Sequence, residues 1–233
     1  MPILVADCVT KSFGGVRVLS AGSLRAEQGQ VRAMLGRNGS GKSTLIKIAA
    51  GWIAADSGVV HFRGRALLRP RHALLSRGGL FYLPDHEVLS SAFTVGWQLS
   101  LFAARYRRRT VGDAAELAGI DHLLDRRPYQ LSGGELRRAE LALALVRRPD
   151  CLLADEPYRG IAPADHDRLT RLFRTLAADG CAVVVTGHEV PTLLTAADHV
   201  TWCTAGTTHE LGSPVAASAH DAFRAGYLGP SHS

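Results

Sequence analysis

The chain is predicted to be an α/β protein, a sheet carrying a phosphate-binding loop and interrupted by a helical insert. Three observations lead there. Gly36-Arg37-Asn38-Gly39-Ser40-Gly41-Lys42-Ser43-Thr44 matches G-x-x-x-x-G-K-[ST], with a strand pattern before it and a helix pattern after it. Short apolar runs such as Cys151-Leu152-Leu153-Ala154 and Cys181-Ala182-Val183-Val184-Val185-Thr186 alternate with helical stretches, the rhythm of a sheet flanked by helices. From Val88 to Arg148 the pattern turns helical, dominated by Ala, Leu and Arg, with breaks at Pro128 and Gly133-Gly134.

The elements follow in order. Ile3-Leu4-Val5-Ala6 and Val16-Arg17-Val18-Leu19 form a β-rich start, and Gly29 to Leu35 reads as a turn and a short buried strand. In the loop that follows, Gly36, Gly39 and Gly41 let the backbone turn its N–H groups inward around phosphates. Lys42 reaches the outer phosphates, and the Ser43 hydroxyl is a ligand for Mg²⁺. Asn38, Ser40 and Thr44 complete the loop; Thr44 to Gly51 reads as a helix whose positive N-terminal end faces the anion. Val59-Val60-His61-Phe62 and Leu80-Phe81-Tyr82-Leu83 are further strands.

Leu131-Ser132-Gly133-Gly134-Glu135 places a hydroxyl and bare backbone N–H groups at the start of a helix running from Leu136 to Arg147, a second anion-binding geometry. The buried strand at Cys151 to Ala154 ends in Asp155 and Glu156, where an open α/β sheet binds its ligands. Asp155 is suited to hold Mg²⁺ through its water shell, and Glu156 to orient or deprotonate an attacking water. Asp165 to Ala178 is helical. His188, just past the last buried strand, is placed to touch a terminal phosphate.

Composition limits the class. The chain has 233 residues, of which 46% are hydrophobic and 21% charged, enough for one large domain with a substantial core. No stretch approaches the ~20 apolar residues of a membrane span, and the first residues carry no pattern expected of a signal peptide. Cys8, Cys151, Cys181 and Cys203 form no C-x-x-C pair and read as small buried hydrophobes of a reducing compartment. The net charge is +6. Its basic clusters (Arg63/Arg65, Arg69/Arg71, Arg105 to Arg109, Arg126-Arg127, Arg137-Arg138) read as solvated faces or lipid-side and partner contacts, not nucleic-acid readout. No internal repeat or low-complexity segment interrupts the chain.

With the phosphate loop, Ser132-Gly133-Gly134-Glu135, Asp155-Glu156 and His188 in this order and approximate spacing, nearly the whole chain resembles the nucleotide-binding subunit of an ATP-binding cassette (ABC) transporter. The ending Tyr227-Leu228-Gly229 and the compact helical lobe are most similar to the subgroup powering branched-chain amino-acid uptake and lipopolysaccharide export. The resemblance implies a P-loop NTPase core of mixed sheet with flanking helices, an antiparallel β subdomain and an inserted helical subdomain. It divides the chain into 1–84 with 149–205 as core, 85–148 as the helical insert and 206–233 as a C-terminal strand and helix.

It also implies ATP and Mg²⁺ as cofactors, Phe13 stacked on adenine with Val18 beside it, and a homodimer closed head to tail. In that dimer Ser132, Gly133, Gly134 and Glu135 complete the partner's site. The implied partners are transmembrane permease subunits, with no nucleic acid, and the implied location is the cytoplasm, peripheral on the inner face of the membrane. Two positions depart from the family: Asp85 stands where glutamine is usual, as a shorter but harder Mg²⁺ ligand, and Ala162 where aspartate is usual. A slow ATPase is therefore expected. The competing readings are a non-transport ATPase of the iron–sulfur assembly type and a weakly hydrolysing regulatory module.

Overall fold

The structure is a computed structural model and describes residues 2–106 and 109–228. Arg107 and Arg108 of the basic run, and Gly229 of the C-terminal motif, lie outside the described residues.

The N-terminal hairpin joins β1 (Pro2–Phe13) to β2 (Val16–Glu27) through Gly14-Gly15. Both glycines have positive φ, +54° and +82°, and Phe13 pairs with Val16 across the turn. A two-residue hairpin needs that geometry to match the twist of its strands. Arg63-Gly64 makes the same kind of connection between β4 (Ser57–Phe62) and β5 (Arg65–Leu67). Ala205-Gly206 does so between β9 (His199–Thr204) and β10 (Thr207–Gly212).

The remaining strands are β3 (Val31–Leu35), β6 (Leu80–Leu83), β7 (Cys151–Ala154) and β8 (Ala182–Gly187). Among the described residues ten strands form one sheet, in the order β5-β4-β1-β2-β10-β9-β3-β8-β7-β6. The β5-β4-β1-β2 half is antiparallel, whereas β9-β3-β8-β7-β6 is parallel throughout. The halves meet where β2 and β10 share a single register pair, Ala21 with Thr207.

Strands β3, β7 and β8 are buried at every residue and apolar apart from Arg32 in β3 and Thr186 in β8, as suits a sheet covered on both faces. Alternation along β3 sends Val31, Ala33 and Leu35 into one core and Met34 into the other. The Met34 face is covered by α1 (Lys42–Ala49), beside α2 (His72–Arg77). The opposite face takes α3 (Val95–Tyr106), α4 (Val111–Ala118), α5 (Gly133–Arg147), α6 (Pro163–Ala178) and α7 (Val190–Ala196). The chain ends in α8 (Pro214–Ala219) and α9 (Asp221–Phe223), which runs into a wide turn at Arg224–Leu228.

Several sequence expectations are corrected. Helix α1 begins at Lys42, not Thr44, and stops at Ala49 with Gly51 just beyond at φ +72°. Helix α5 begins at Gly133, because Ser132 caps it there. Residues 88–94 are bends and turns rather than helix. Arg137 and Arg138 are not a solvated face: they are 8% and 5% exposed, wedged inside the helical layer. Of the cysteines, Cys151, Cys181 and Cys203 are buried and Cys8 is exposed.

Candidate functional site

The site forms at the C-terminal ends of the parallel strands, where β3, β7 and β8 release their loops side by side. The phosphate loop leaves β3 at Gly36. A Cβ at Gly36 would sit 2.5 Å from the carbonyl oxygen of Cys203 and from Ser40 Oγ, so only glycine lets the loop pass β9. Gly41 has φ +104°, and a Cβ there would meet Leu19 Cδ2 at 2.7 Å.

Lys42 is 4% exposed and folds back along the loop. Its Nζ donates to the carbonyls of Gly36 (2.7 Å) and Arg37 (3.2 Å) and lies 3.4 Å from Glu156 Oε1. Ser40 Oγ is buried and has no hydrogen-bond partner among the described residues, so it can both donate to and accept from a ligand atom. A cavity of about 380 Å³ opens over the loop. Asn38, Gly39, Ser40, Gly41, Lys42, Ser43 and Thr44 form one wall of it, with Val18 reaching in from β2. Asp85, Glu156, Arg159 and His188 form the other.

The two acids after β7 are held differently. Asp155 is fully buried. Its Oδ1 accepts from Ser43 Oγ (3.0 Å) and Thr186 Oγ1 (2.8 Å), and its Oδ2 accepts from Tyr82 Oη at 3.4 Å. Burial lifts this carboxyl above the usual carboxylate range, opposed by the bonds from Thr186 and Ser43. The Asp155 carboxylate also pushes the Tyr82 hydroxyl up, after burial itself.

Glu156 sits at φ +48°, a conformation that costs a residue with a Cβ roughly 1–2 kcal/mol. Its backbone N–H donates to Thr186 Oγ1 at 2.9 Å, and its Oε2 lies 3.0 Å from His188 Nδ1. Glu189 joins them: one ligand atom each from Glu156, His188 and Glu189 falls within 4.8 Å of the others. Asp85 faces Arg159 Nη1 at 3.9 Å across the cavity mouth.

Other expected residues lie elsewhere. Phe13 is 48% exposed at the tip of the first hairpin, under the Lys11 ammonium at 5.4 Å, and does not line the cavity. Ser132, Gly133, Gly134 and Glu135 are also outside it. Ser132 and Glu135 form a capping box at the start of α5: Ser132 N donates to Glu135 Oε2 at 2.8 Å and Glu135 N to Ser132 Oγ at 3.3 Å. The bonds that Glu135 Oε2 accepts from the Ser132 N–H and the Ser132 hydroxyl hold this carboxyl below its usual range. At Gly134 a Cβ would come within 2.3 Å of Asp165 Oδ2, so any larger residue requires the Asp165 side chain to move.

Sequence reasoning missed Arg159, Thr186 and Tyr82. The position of Arg159, three residues past Glu156, was a usable signal; a threonine inside an apolar strand and a tyrosine beside leucine were not.

The donor set fits the expected ligands. Glycine backbone, Lys42 and the orphaned Ser40 hydroxyl suit phosphates. The Ser43 hydroxyl beside the Asp155 carboxylate, with the Asp85 carboxylate on the same cavity, gives the hard oxygen donors Mg²⁺ requires.

Residues 19–159 match the family model described as ABC transporter. The chain is 33% identical over 216 residues to an Fe(3+) ions import ATP-binding protein of Rhodococcus jostii, an alignment covering 91% of this chain and 62% of that one. It is 30% identical over 237 residues to the lipopolysaccharide export system ATP-binding protein of Haemophilus influenzae, covering 98% of each. Its fold matches the ADP conformation of an ATP-binding cassette of an ABC transporter, with a TM-score of 0.81, 27% identity and 92% of both chains covered. The chain belongs to the ABC transporter family.

Proposed function

We propose that this chain is the ATP-binding and ATP-hydrolysing subunit of an ABC transporter, working as a head-to-tail pair that drives a separate membrane permease. One observation carries the reading. Lys42, Glu156 and His188 converge over the phosphate loop, Glu156 lying 3.4 Å from the ammonium and 3.0 Å from the imidazole. A cation, a general base and a second polar group are what phosphoryl transfer to water needs at one place.

In this mechanism the glycine backbone and Lys42 bind the β- and γ-phosphates, and the buried Ser40 hydroxyl adds a contact. Ser43, Asp155 and Asp85 are the residues to hold Mg²⁺, which supplies charge neutralisation on the phosphate oxygens. Glu156 accepts a proton from the attacking water, while His188 keeps that carboxylate aimed and reaches the terminal phosphate. Val18 packs under the base, and Phe13 reaches it by a movement of the exposed hairpin tip.

The residues Ser132 to Glu135 do not line their own chain's cavity, which is compatible with a role in the site of a second subunit. Segment 85–148 acts as the lobe that carries motion to the permease. No helix among the described residues is long and apolar enough to cross a membrane; in this reading the permease supplies the membrane-spanning part. Iron import and lipopolysaccharide export belong to the named relatives; the cargo here is set by the permease. Asp85, drawn toward Arg159 and short of the reach of a glutamine, makes turnover slow.

The test is ATP hydrolysis by the purified protein across a range of protein concentrations, with Glu156→Gln as the blank. A rate per subunit that climbs with concentration supports a dimeric ATPase. A rate equal to the blank at every concentration, with or without permease, refutes the reading.

A further inference from the structure

We propose that Thr186 is the positioning residue for both acids of the site, fixing the side chain of Asp155 and the main chain of Glu156 through one hydroxyl. The inference rests on the ATPase reading above and deepens it.

Thr186 is fully buried in β8, between the strand that carries the acids and the loop that carries His188. A hydroxyl has one proton to give and lone pairs to receive. The proton goes to Asp155 Oδ1 at 2.8 Å, and a lone pair takes the Glu156 N–H at 2.9 Å. Asp155 is thereby turned toward Ser43, which donates to the same oxygen at 3.0 Å. Glu156 is held at φ +48°, the backbone setting that carries its carboxylate to Lys42 and His188.

Apolar β-branched side chains would pack equally well at a buried strand position, as Val183, Val184 and Val185 show on the same strand. A hydroxyl in that place is explained by what it bonds. Val185, one residue earlier, is in register with Ala154 of β7, so β8 sets the acids and His188 from a single frame.

The experiment compares Thr186→Val, which keeps the shape and removes the hydroxyl, with Thr186→Ser, which keeps the hydroxyl and removes a methyl. Two readouts are taken: hydrolysis at saturating ATP, and affinity for a fluorescent ATP analogue with Mg²⁺ and with EDTA. Loss of a supporting hydrogen-bond partner of a metal site typically costs about 10–100-fold. Thr186→Val is expected to lose that much of kcat and of the Mg²⁺-dependent gain in affinity. Its affinity in EDTA should stay within about twofold of wild type because the phosphate loop is untouched. Thr186→Ser is expected to restore most of both losses.

A folded Thr186→Val that keeps wild-type kcat and Mg²⁺ dependence overturns the proposal. So does a Thr186→Ser no better than Thr186→Val, since packing alone would then explain the position. If Thr186→Val does not fold, Thr186→Ala against Thr186→Ser makes the same comparison. If wild type itself hydrolyses nothing with or without permease, the ATPase reading fails, and the affinity arm alone decides the role of Thr186.

Discussion

Glu135 bonds both the backbone N–H and the hydroxyl of Ser132, at 2.8 and 2.9 Å, and its charge lies at the positive end of α5. Glu135→Gln keeps an acceptor oxygen and removes the charge, so the change isolates the electrostatic share. We expect about 0.5 kcal/mol less stability at pH 7, within the range for a charge at a helix N-terminus and small because the group is partly solvated. Its carboxyl is held below the ordinary value of 4.5, so this contribution is complete above that pH. It is lost as pH falls through the lowered value. Urea titrations of both proteins should show the gap at neutral pH and its closure in acid. The sequence singled out this segment because Ser-Gly-Gly-Glu before a helix is a local pattern, read there as an anion site; that Glu135 closes a capping box shows in the structure. Thr186 left no such trace. Its partners Asp155 and Glu156 are about 30 residues away and become neighbours only when β7 and β8 pair.

Helix α5 is buried from Arg137 to Arg147, and two of its charges are spent on the loop that holds Asp85. Arg137 and Glu140 form an ion pair at 2.8 Å, with Glu140 only 1% exposed. Arg137 Nη1 donates to the Pro84 carbonyl at 3.0 Å, and Glu140 Oε1 accepts the Val88 N–H at 2.7 Å, so the strap is pinned on both sides of Asp85. Burial raises the Glu140 carboxyl above its ordinary range, against the pull of Arg137. Glu140→Ala alone strands a buried guanidinium and should cost about 3–5 kcal/mol in denaturant unfolding. Arg137→Met combined with Glu140→Leu should cost far less, because a packed apolar pair replaces the ion pair. The strands were legible because β7 is an unbroken apolar run and β3 and β8 are nearly so, Arg32 and Thr186 being their polar members, and the helix of α5 was legible from its Ala and Leu. That its arginines point inward was not, since a basic run on a helix has the same pattern at a surface. Helix α2 is too short to show a period, and the β9–β10 turn, Ala205-Gly206, lacks the asparagine or aspartate that marks a tight hairpin.

At the scale of the molecule, the antiparallel half of the sheet brings Val18 to the cavity and the parallel half brings the phosphate loop. The backbone crossing between them is brief: Gly206 O accepts from Ser20 N at 2.8 Å and Ala21 N at 3.3 Å, and Thr208 Oγ1 accepts from Ser23 N at 2.7 Å. Helix α1 packs on β1 and β2 and shares their core, so side chains reinforce what the ladder lacks. Amide hydrogen exchange at Ser20, Ala21 and Ser23 should be faster than within β3 or β8, and ATP with Mg²⁺ should slow it. Equal protection at both places without nucleotide would count against such a boundary. Mechanically, the protein is two stiff plates joined along a perforated line. Pulled across the sheet, it should tear first between β2 and β10. If the proposed site holds, a nucleotide with its base against Val18 on one plate and its phosphates in the loop of the other acts as a rivet and raises the force at which the first tear occurs.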